Sequence, residues 1–394
     1  HFSLSVVGAR VALPNGSLLE LDARDRRLRE FIGTEGQFGI FTELTIRLRE
    51  SSRFSRSFLY TFDGVEPAFR FVEGLVEREH GPSHVAFYDR VRMHEENLLF
   101  RQKTGDTRPI VGEKEAVLLH FDDPDQAERL LEDRVLVAGN RSDPVAASVL
   151  WSDRYFPLKA QRIGPSMLAC EVVLALESVP AFVSEAKKLA RLYGTPLAFE
   201  VFIARTVDKR NCVVIGSFLC DRASPDYTLR LLFVQLLTAL GVRAGGRPYG
   251  FGIWNSPFVA GLLSRDERAE MASFKDGCDP RCLLNPQKFF TVRSRVRSLS
   301  DLLFVPQVHR TILRIAFLLS PALGAIARSM DSRNGGNWEV PSASVEDGAR
   351  LIRETEARCT SCGACISVCP AFLVTGEELV TGRAKLQVAK ALMT

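Results

Sequence analysis

One pattern of strands and helices occurs twice between residues 55 and 246, and this repeat constrains the fold more than any other feature. The first copy predicts strands at 56–62, 84–88 and 115–121 and helices at 66–79 and 125–135. The second copy predicts strands at 168–176, 197–203 and 212–219 and helices at 179–193 and 226–240. Two β-α-β-β-α units predict two ferredoxin-like halves that form one antiparallel sheet with helices on one side.

The helix predictions rest on apolar side chains three and four residues apart, which share one face of a helix. In the first copy these side chains are Phe69, Val72, Leu75 and Val76; in the second they are Val183, Ala186, Leu189 and Ala190. Residues from Pro144 to Pro165 are expected to join the two halves. The predicted fold class is therefore α+β, with the repeat forming a domain over residues 51–290.

The first 50 residues predict a separate β unit. Residues 4–13 alternate between apolar and polar, turn at Pro14-Asn15-Gly16, and continue as a strand through Leu18–Leu21. A glycine-rich stretch over residues 33–40 then leads into a further alternating strand at 41–48. This stretch is neither a P-loop, since no Gly-Lys-Ser/Thr follows, nor a dinucleotide fingerprint, since a strand rather than a helix follows. A tight turn with glycines at positive φ is the simplest alternative.

Nine cysteines are unevenly placed, and four of them carry a recognisable spacing. Cys359, Cys362, Cys365 and Cys369, followed by Pro370, form the C-x2-C-x2-C-x3-C-P run of bacterial ferredoxins. This spacing favours a [4Fe–4S] cluster over zinc, which more often takes two separated C-x2-C pairs. A cluster of thiols near one end also indicates a reducing compartment rather than a secreted disulfide framework. We expect a small α-helical iron–sulfur domain over residues 346–394.

The ends of the sequence suggest that it is part of a longer chain. The fourth cysteine of such a run usually ligates a second cluster, and no second run occurs before Thr394. Either the chain continues, or Cys369 is served by another arrangement; Cys278 and Cys282 could donate a lone ligand or be structural thiols. The sequence begins at His1 rather than Met, and a strand pattern follows at once, so we expect its true start to be missing. It opens with no secretory signal.

Residues 291–345 are expected to connect the two domains. Residues 302–328 are apolar, but the longest uncharged run, Ile315–Ala327, has 13 residues and contains Pro321. A membrane-spanning helix needs about 20 residues. Two interpretations remain: a packed helical hairpin between domains, or a monotopic helix on a membrane or a membrane-associated partner. Residues 331–345 read as a linker.

The glycine-rich stretch resembles the G-[ST]-E-G-x-[LF]-G-I-[VF]-T-E segment of FAD-linked oxidases of the vanillyl-alcohol oxidase type, in particular the glycolate oxidase and D-lactate dehydrogenase branch. Two further landmarks occur in the same order: Trp151-Ser152-Asp153-Arg154 and Asp279-Pro280-Arg281-Cys282-Leu283-Leu284-Asn285-Pro286-Gln287-Lys288. The residues after the cysteine run, Gly376-Glu377-Glu378-Leu379 and Thr381–Lys385, are similar to those of glycolate oxidase iron–sulfur subunits.

The resemblance implies that residues 1–50 end a PCMH-type FAD-binding domain and that the repeat is its cap. It implies FAD as a cofactor, held by Gly33, Thr34, Glu35, Gly36, Gly39, Ile40 and Asn285. Arg154 would bind a substrate carboxylate, although an ion pair is an equal alternative. The family's metal-binding histidines are absent from Ile203–Arg210, and Pro248 and Tyr249 replace the family's acidic ligand and catalytic histidine. Tyr249 is therefore either an acid–base residue or a packed aromatic.

Two functions follow as hypotheses. The first is a dehydrogenase that oxidises a small organic acid on FAD and passes electrons through the [4Fe–4S] cluster to a quinone or a redox protein. The second is an electron-transfer subunit of a larger complex, without an organic substrate of its own. A net charge of +4, from 51 basic and 47 acidic residues, excludes a strongly basic nucleic-acid-binding chain. We expect a cytoplasmic protein, and peripheral attachment to the inner face of the membrane is the alternative.

Overall fold

The structure is a computed structural model that describes residues 5–25, 27–48, 54–76, 81–104, 107–132, 140–142, 144–154, 157–205, 210–286, 299–331, 355, 359, 363–367 and 369–391. Its strands are β1 (Val6–Ala12), β2 (Leu18–Asp22), β3 (Ile40–Ile46), β4 (Arg56–Phe62), β5 (His84–Tyr88), β6 (Glu115–Phe121), β7 (Asn140–Arg141), β8 (Ser166–Ala175), β9 (Ala198–Arg205), β10 (Arg210–Cys220) and β11 (Arg247–Pro248). Each strand expected from the repeat is present to within about two residues.

The helices fall between these strands and after them. They are α1 (Arg27–Phe31), α2 (Val65–Val76), α3 (Arg90–Thr104), α4 (Pro124–Glu132), α5 (Pro144–Asp153), α6 (Val179–Leu192), α7 (Tyr227–Arg243), α8 (Ser256–Leu262), α9 (Arg265–Cys278), α10 (Pro306–Leu318), α11 (Ser320–Ser329), α12 (Ala364–Ser367), α13 (Pro370–Thr375) and α14 (Gly382–Ala391). The four helices predicted within the repeat are confirmed as α2, α4, α6 and α7. The last residues expected in the first and second of these lie outside the described residues.

The repeat forms one eight-stranded antiparallel sheet, as predicted. The strand order is β11-β8-β10-β9-β5-β6-β4-β7. The two halves meet at the inner strands β5 and β9, where Ala86 pairs with Phe202 and Tyr88 pairs with Glu200. Because this junction is an ordinary strand ladder, the two halves share one continuous sheet.

The prediction of helices on one side of the sheet is wrong. One face packs against α2, α4, α6 and α7, but the other face packs against α3 and α5 over the first half. Met93 of α3 and Leu150 of α5 contact Leu59 and Leu118 there. The helix α3 was not predicted from the sequence, because its buried face carries Arg92, Glu95 and Glu96 and therefore shows no apolar stripe. The helix α5 lies in the segment that was expected to be a joint.

A bent pair of helices, α10 and α11, packs against α6 and α7 of the same domain. Leu313, Ala316 and Ala327 are buried in the domain's main core. Gly324 lies so close to α6 that an added Cβ would be 2.3 Å from the carbonyl oxygen of Leu192. No single described helix is long and apolar enough to cross a membrane, whereas α10 and α11 together are, with a bend of 75° between them.

The first strands form a separate three-stranded antiparallel sheet in the order β2-β1-β3. The helix α9 packs on this sheet, because Phe274 makes edge-to-face contacts with Phe31 and Phe38 at centroid distances of 5.7 Å and 5.1 Å. The chain thus returns to the N-terminal unit through α9. This return brings residues 279–286 beside the glycine-rich loop.

Candidate functional site

The glycine-rich loop between α1 and β3 is held in an unusual backbone conformation. Gly33, Glu35 and Gly36 have φ values of 82°, 56° and 72°. Glycine adopts this left-handed region without a steric cost, whereas glutamate does so with some strain. Thr34 is buried, and its hydroxyl donates to the carbonyl oxygen of Phe31 at 2.8 Å. The expected turn with positive φ is confirmed at Gly33 and Gly36.

Gly39 is needed for a different reason. Its φ is not positive, but an added Cβ would be 2.3 Å from Cγ1 of Val11. The loop therefore packs directly against β1 as it enters β3. Glycine at this position permits the close approach.

Glu35 joins the loop to the repeat domain. Its Oε1 accepts the backbone N–H groups of Phe251 and Gly252 at 2.6 Å and 2.9 Å, and its Oε2 accepts Gly252 at 2.7 Å. Charge-assisted bonds of this kind are roughly twice as strong as neutral ones. The side chain of Glu35 is thus occupied by the segment after β11 and does not face a ligand. Sequence reasoning expected the loop but not this side-chain contact.

Asn285 closes the loop from the other side. Its side-chain amide donates to the backbone carbonyl oxygen of Glu35. Its backbone carbonyl oxygen accepts a hydrogen bond from the side-chain amide of Gln37 at 3.1 Å. An added Cβ on Gly36 would be 2.9 Å from Nδ2 of Asn285. The structure therefore brings together two of the predicted landmarks, the glycine-rich loop and the segment ending in Asn285.

A buried lysine fixes the same junction. Nζ of Lys275 on α9 lies 2.7 Å from Oδ2 of Asp279, and donates to the carbonyl oxygens of Gln37 and Leu284 at 2.6 Å and 2.8 Å. Asp279 also accepts the backbone N–H groups of Leu283 and Leu284. Burial raises the pKa of Asp279, but the Lys275 ammonium and these N–H groups outweigh it, so the net pKa is lowered. The i, i+4 spacing of Lys275 and Asp279 was the only sequence signal of this pair.

A cavity of about 470 Å³ opens beside Glu35, between the sheet edge and α7. Its walls come from β8, α7 and the loop after β11, through residues such as Leu168, Gln235 and Trp254. Burial raises the pKa of Glu171 and raises that of the Cys170 thiol to about 12. The thiol therefore stays protonated at neutral pH and is a poor nucleophile there.

The loop fits a large cofactor that approaches its backbone. Gly33 and Gly36 are exposed, and an added Cβ on Gly33 would meet nothing within 4 Å. Ile40, the first residue of β3, is 59 % exposed. The loop thus presents open backbone and one apolar side chain while its polar side chains bond within the protein. The open side of Gly33 therefore leaves room for a ligand to approach the backbone of the loop closely.

Arg154 lies elsewhere, in a stack of three side chains. Its Cζ is 3.5 Å from the ring centroid of Trp151, and the ring of His120 stacks on Trp151 at 3.4 Å with an interplanar angle of 8°. Two groups so close to one ring must occupy its opposite faces, so the indole is sandwiched. Nη1 of Arg154 also donates to the carbonyl oxygen of Trp151 at 2.6 Å. The guanidinium is therefore held in one orientation.

His84 borders this stack. Its ring makes edge contacts with Trp151 and Phe202, at 5.3 Å and 6.0 Å between centroids. Burial, together with the positive charge of Arg154, lowers the pKa of His84 to about 4. His84 is thus neutral at pH 7, whereas Arg154 is a cation.

The structure does not bring Arg154 and Tyr249 together. Tyr249 donates its backbone N–H to Glu171 on β8, whereas the Arg154 stack rests on β6. These two strands are separated by four strand spacings in the sheet order, or roughly 19 Å. Tyr249 is 48 % exposed, so it is not a packed core aromatic either. A small acid held by Arg154 is out of reach of Tyr249.

The cysteine run is only partly described. The thiols of Cys359 and Cys365 are exposed and that of Cys369 is half-buried, while Cys362 lies outside the described residues. Gly363, between Cys362 and Cys365 in the sequence, has φ of 76°, a value that favours glycine. Within the described part of the chain, no three His, Cys, Asp or Glu side chains lie together as a metal site would need.

A buried ion network was missed entirely by sequence reasoning. Arg92 is 1 % exposed and lies 3.0 Å from Glu95, 3.1 Å from Glu96 and 3.6 Å from Glu200. Lys159 lies 2.7 Å from Glu96, at the wall of a second cavity of about 640 Å³. Burial raises the pKa of Glu95 to about 7 in spite of the adjacent Arg92. The network ties α3 to β9 and so fixes the face of the sheet on which the Arg154 stack lies.

Comparison with known proteins shows which family the chain belongs to. Residues 51–289 match the family described as FAD linked oxidases, C-terminal domain. The chain is 20 % identical over 320 residues to glycolate oxidase subunit GlcD of Bacillus subtilis (strain 168), covering 75 % of this chain and 65 % of that protein. It thus spans less than two thirds of this relative. A solved structure of p-cresol methylhydroxylase with substrate bound is similar in fold, with a TM-score of 0.56 and 15 % identity over 73 % of this chain and 65 % of that one. The match covers more than half of the chain, which therefore belongs to the FAD-linked oxidase family.

Proposed function

We propose that this protein is an FAD-dependent dehydrogenase that oxidises a small organic acid of the 2-hydroxy acid class. It passes the electrons through a [4Fe–4S] cluster to a quinone or a redox protein. The family supports the flavin, and the similarity to a glycolate oxidase subunit supports the substrate class. The oriented guanidinium of Arg154 is the observation that carries the proposal, because its planar fork matches the geometry of a carboxylate.

FAD would lie against Gly33, Gly36 and Ile40, with Asn285 holding the loop in shape. When bound, a flavin accepts two electrons and releases them one at a time. Glu35 contributes its backbone and uses its carboxylate to hold the loop at 251–252. Thr34 and Gly39 shape the loop without facing the cofactor, because both are buried.

Arg154 would bind the substrate carboxylate through its guanidinium. A planar fork can donate two parallel hydrogen bonds to the two carboxylate oxygens, which orients the acid as well as attracting it. Trp151 limits the rotation of the guanidinium by stacking, and His120 supports Trp151 from its other face. Because His84 is neutral at pH 7, it adds no positive charge beside Arg154.

A resident divalent metal does not fit the chain's own residues. Residues 203–210 contain no histidine, and Pro248 and Tyr249 stand where the family pattern places an acid and a histidine. We therefore assign no step to a metal ion. The proton of the substrate hydroxyl requires another acceptor, and Tyr249 is too far from Arg154 to serve.

The cluster would be held by Cys359, Cys362, Cys365 and Cys369. Their spacing, the exposed thiols of Cys359 and Cys365, and the left-handed turn at Gly363 support this assignment. When bound, such a cluster carries one electron at a time. Its thiolates would have to be brought together by assembly of the cluster itself.

The absent histidines favour a second candidate function, an electron-transfer subunit without an organic substrate. Turnover with an artificial electron acceptor separates the two. For a dehydrogenase, a 2-hydroxy acid bleaches the flavin absorbance and reduces the dye. For an electron-transfer subunit, no acid bleaches the flavin, although dithionite does.

Substitution of Arg154 sharpens this experiment. Losing a buried guanidinium–carboxylate pair costs roughly 2–5 kcal/mol, so Arg154→Ala should lower kcat/KM about 30-fold to several-thousand-fold. Arg154→Lys should not restore it, because an ammonium lacks the planar fork. Arg101→Gln, an exposed arginine on α3, is the matched control. Wild-type kcat/KM in Arg154→Ala would remove the acid-substrate proposal.

A further inference from the structure

The outer face of the bent pair α10–α11 is apolar and basic at once. On α10 the exposed positions follow helical spacing: Gln307, Arg310, Thr311, Arg314, Ile315 and Leu318. Leu318 and Leu319, at the bend, are 81 % and 50 % exposed, and Ile315 is 51 % exposed. Large apolar side chains exposed together on an otherwise packed domain indicate an interaction surface.

The inner face of the α10–α11 pair is held against α6 and α7 by specific contacts, so the exposed face has a fixed position on the domain. His309 contacts Gln235 of α7 at 3.2 Å, and the guanidinium of Arg243 lies 4.0 Å from the ring of Phe317. Arg328 donates to the carbonyl oxygen of Leu192 on α6. Because these contacts fix both helices, Leu318 and Leu319 project at a rigid corner.

The positive charge around this corner indicates what kind of partner binds there. Residues 302–330 contain Arg310, Arg314 and Arg328 but no aspartate or glutamate. Arg328 bonds inward, while Arg310 and Arg314 face outward on the same side as Ile315 and Leu318. Arg314 and Arg310 stand about 6 Å and 12 Å along the helix from Leu318, at a rise of 1.5 Å per residue. Interfacial helices bury their apolar face about 5–10 Å deep, which places such arginines among the lipid headgroups.

We propose that the α10–α11 corner docks on the surface of an anionic lipid bilayer. Ile315, Leu318 and Leu319 enter the acyl boundary, and Arg310 and Arg314 bind lipid phosphates. The helices lie on the membrane rather than crossing it, because the 75° bend and the buried inner face keep them on the protein. This inference is independent of the flavin and of the substrate proposed above.

The test is flotation of the full chain with phosphatidylcholine vesicles, with and without phosphatidylglycerol. We expect binding to the anionic vesicles and weak binding to the neutral ones. Arg310→Gln with Arg314→Gln should weaken anionic binding roughly 30-fold, at about 5-fold per arginine, and leave neutral binding unchanged. Leu318→Asn with Leu319→Asn should weaken binding to both vesicles by about 10-fold or more.

Two matched variants control for general changes in charge and hydrophobicity. Leu18→Asn removes an apolar side chain of similar exposure from β2, and Arg101→Gln removes an exposed arginine from α3. Both should bind as the wild type does. Equal binding by all variants, or no preference for anionic lipid, would overturn the proposal. A self-association or protein complex that depends on Leu318 and Leu319 without lipid binding would also overturn it.

Discussion

The side-chain amide of Asn285 donates to the backbone carbonyl of Glu35, 250 positions earlier in the chain. This bond joins the end of the repeat domain to the loop proposed to face FAD. Glu35 in turn holds Phe251 and Gly252 through its carboxylate. The cofactor loop therefore depends on two distant segments for its shape.

Asn285→Asp tests this closure. The new carboxylate would face the carbonyl oxygen of Glu35 without a donor, so we expect the free energy of unfolding to fall by about 1–3 kcal/mol and FAD to be lost more readily. Urea denaturation and the flavin released on gel filtration measure the two effects. Asn285→Gly is the control for backbone conformation, because Asn285 has φ of 38° and glycine tolerates that value. Equal FAD retention in Asn285→Asp and wild type would contradict the prediction.

Lys275→Met should destabilise the protein strongly. Asp279 would remain buried without its cation, a change that typically costs about 3–5 kcal/mol. In the wild type the pKa of Asp279 is lowered on folding, so its contribution is present above the unfolded pKa and is lost as pH falls through the folded pKa. Denaturation at pH 7 and below pH 4 should show a smaller acid-induced loss in Lys275→Met. Lys188→Met, at an exposed ion pair, should change little.

His84 should make the protein less stable in mild acid. Its pKa is about 4 in the folded protein and 6.5 without the fold, so the unfolded chain binds more protons between these values. Stability therefore rises with pH across this window, and His84 accounts for about 3 kcal/mol of it. Burial also lowers the pKa of His309 to about 4, which adds a change of the same sign. In His84→Phe, urea titrations from pH 4 to 7 should show the slope of the unfolding free energy against pH reduced by up to about 1.4 kcal/mol per pH unit relative to wild type. In His94→Gln, an exposed histidine, the slope should equal that of wild type.

Cys365→Ser should lose the cluster iron of protein purified without oxygen. The motif requires all four thiolates, whereas Cys278 is expected to be structural because its thiol donates to the carbonyl oxygens of Phe38 and Lys275. Iron and acid-labile sulfide should therefore persist in Cys278→Ser. Stoichiometric zinc with little iron in the wild type would refute the cluster, and loss of iron in Cys278→Ser would make Cys278 a ligand.

The sequence predicts the sheet and its amphipathic helices because their signal is local. Val183, Ala186 and Leu189 report one helix face regardless of what lies against it. The helix α3 has no such apolar face, because Arg92, Glu95 and Glu96 are buried as ion pairs. In the sequence alone, these charged residues indicate a solvent-exposed helix face. Their partner Glu200 lies on β9, in the other copy of the repeat.

The candidate site also contains some features that have a local sequence signal and others that have none. Gly33, Gly36 and Asn285 could be identified from short motifs, because each motif reflects a local backbone conformation. The carboxylate bonds of Glu35 to Phe251 and Gly252 join segments 216 and 217 positions apart and leave no local pattern. The separation of Arg154 from Tyr249 likewise follows from strand order, which the sequence of strands alone does not fix.

One border of the eight-stranded sheet ends in β11, a strand of only two residues, Arg247 and Pro248. Arg247 is exposed, and Pro248 has no N–H to donate. At this border, a further strand from another molecule would find almost no backbone to pair with and a positive charge in its path. The β11 edge therefore opposes the edge-to-edge pairing through which apolar sheets grow into fibrils.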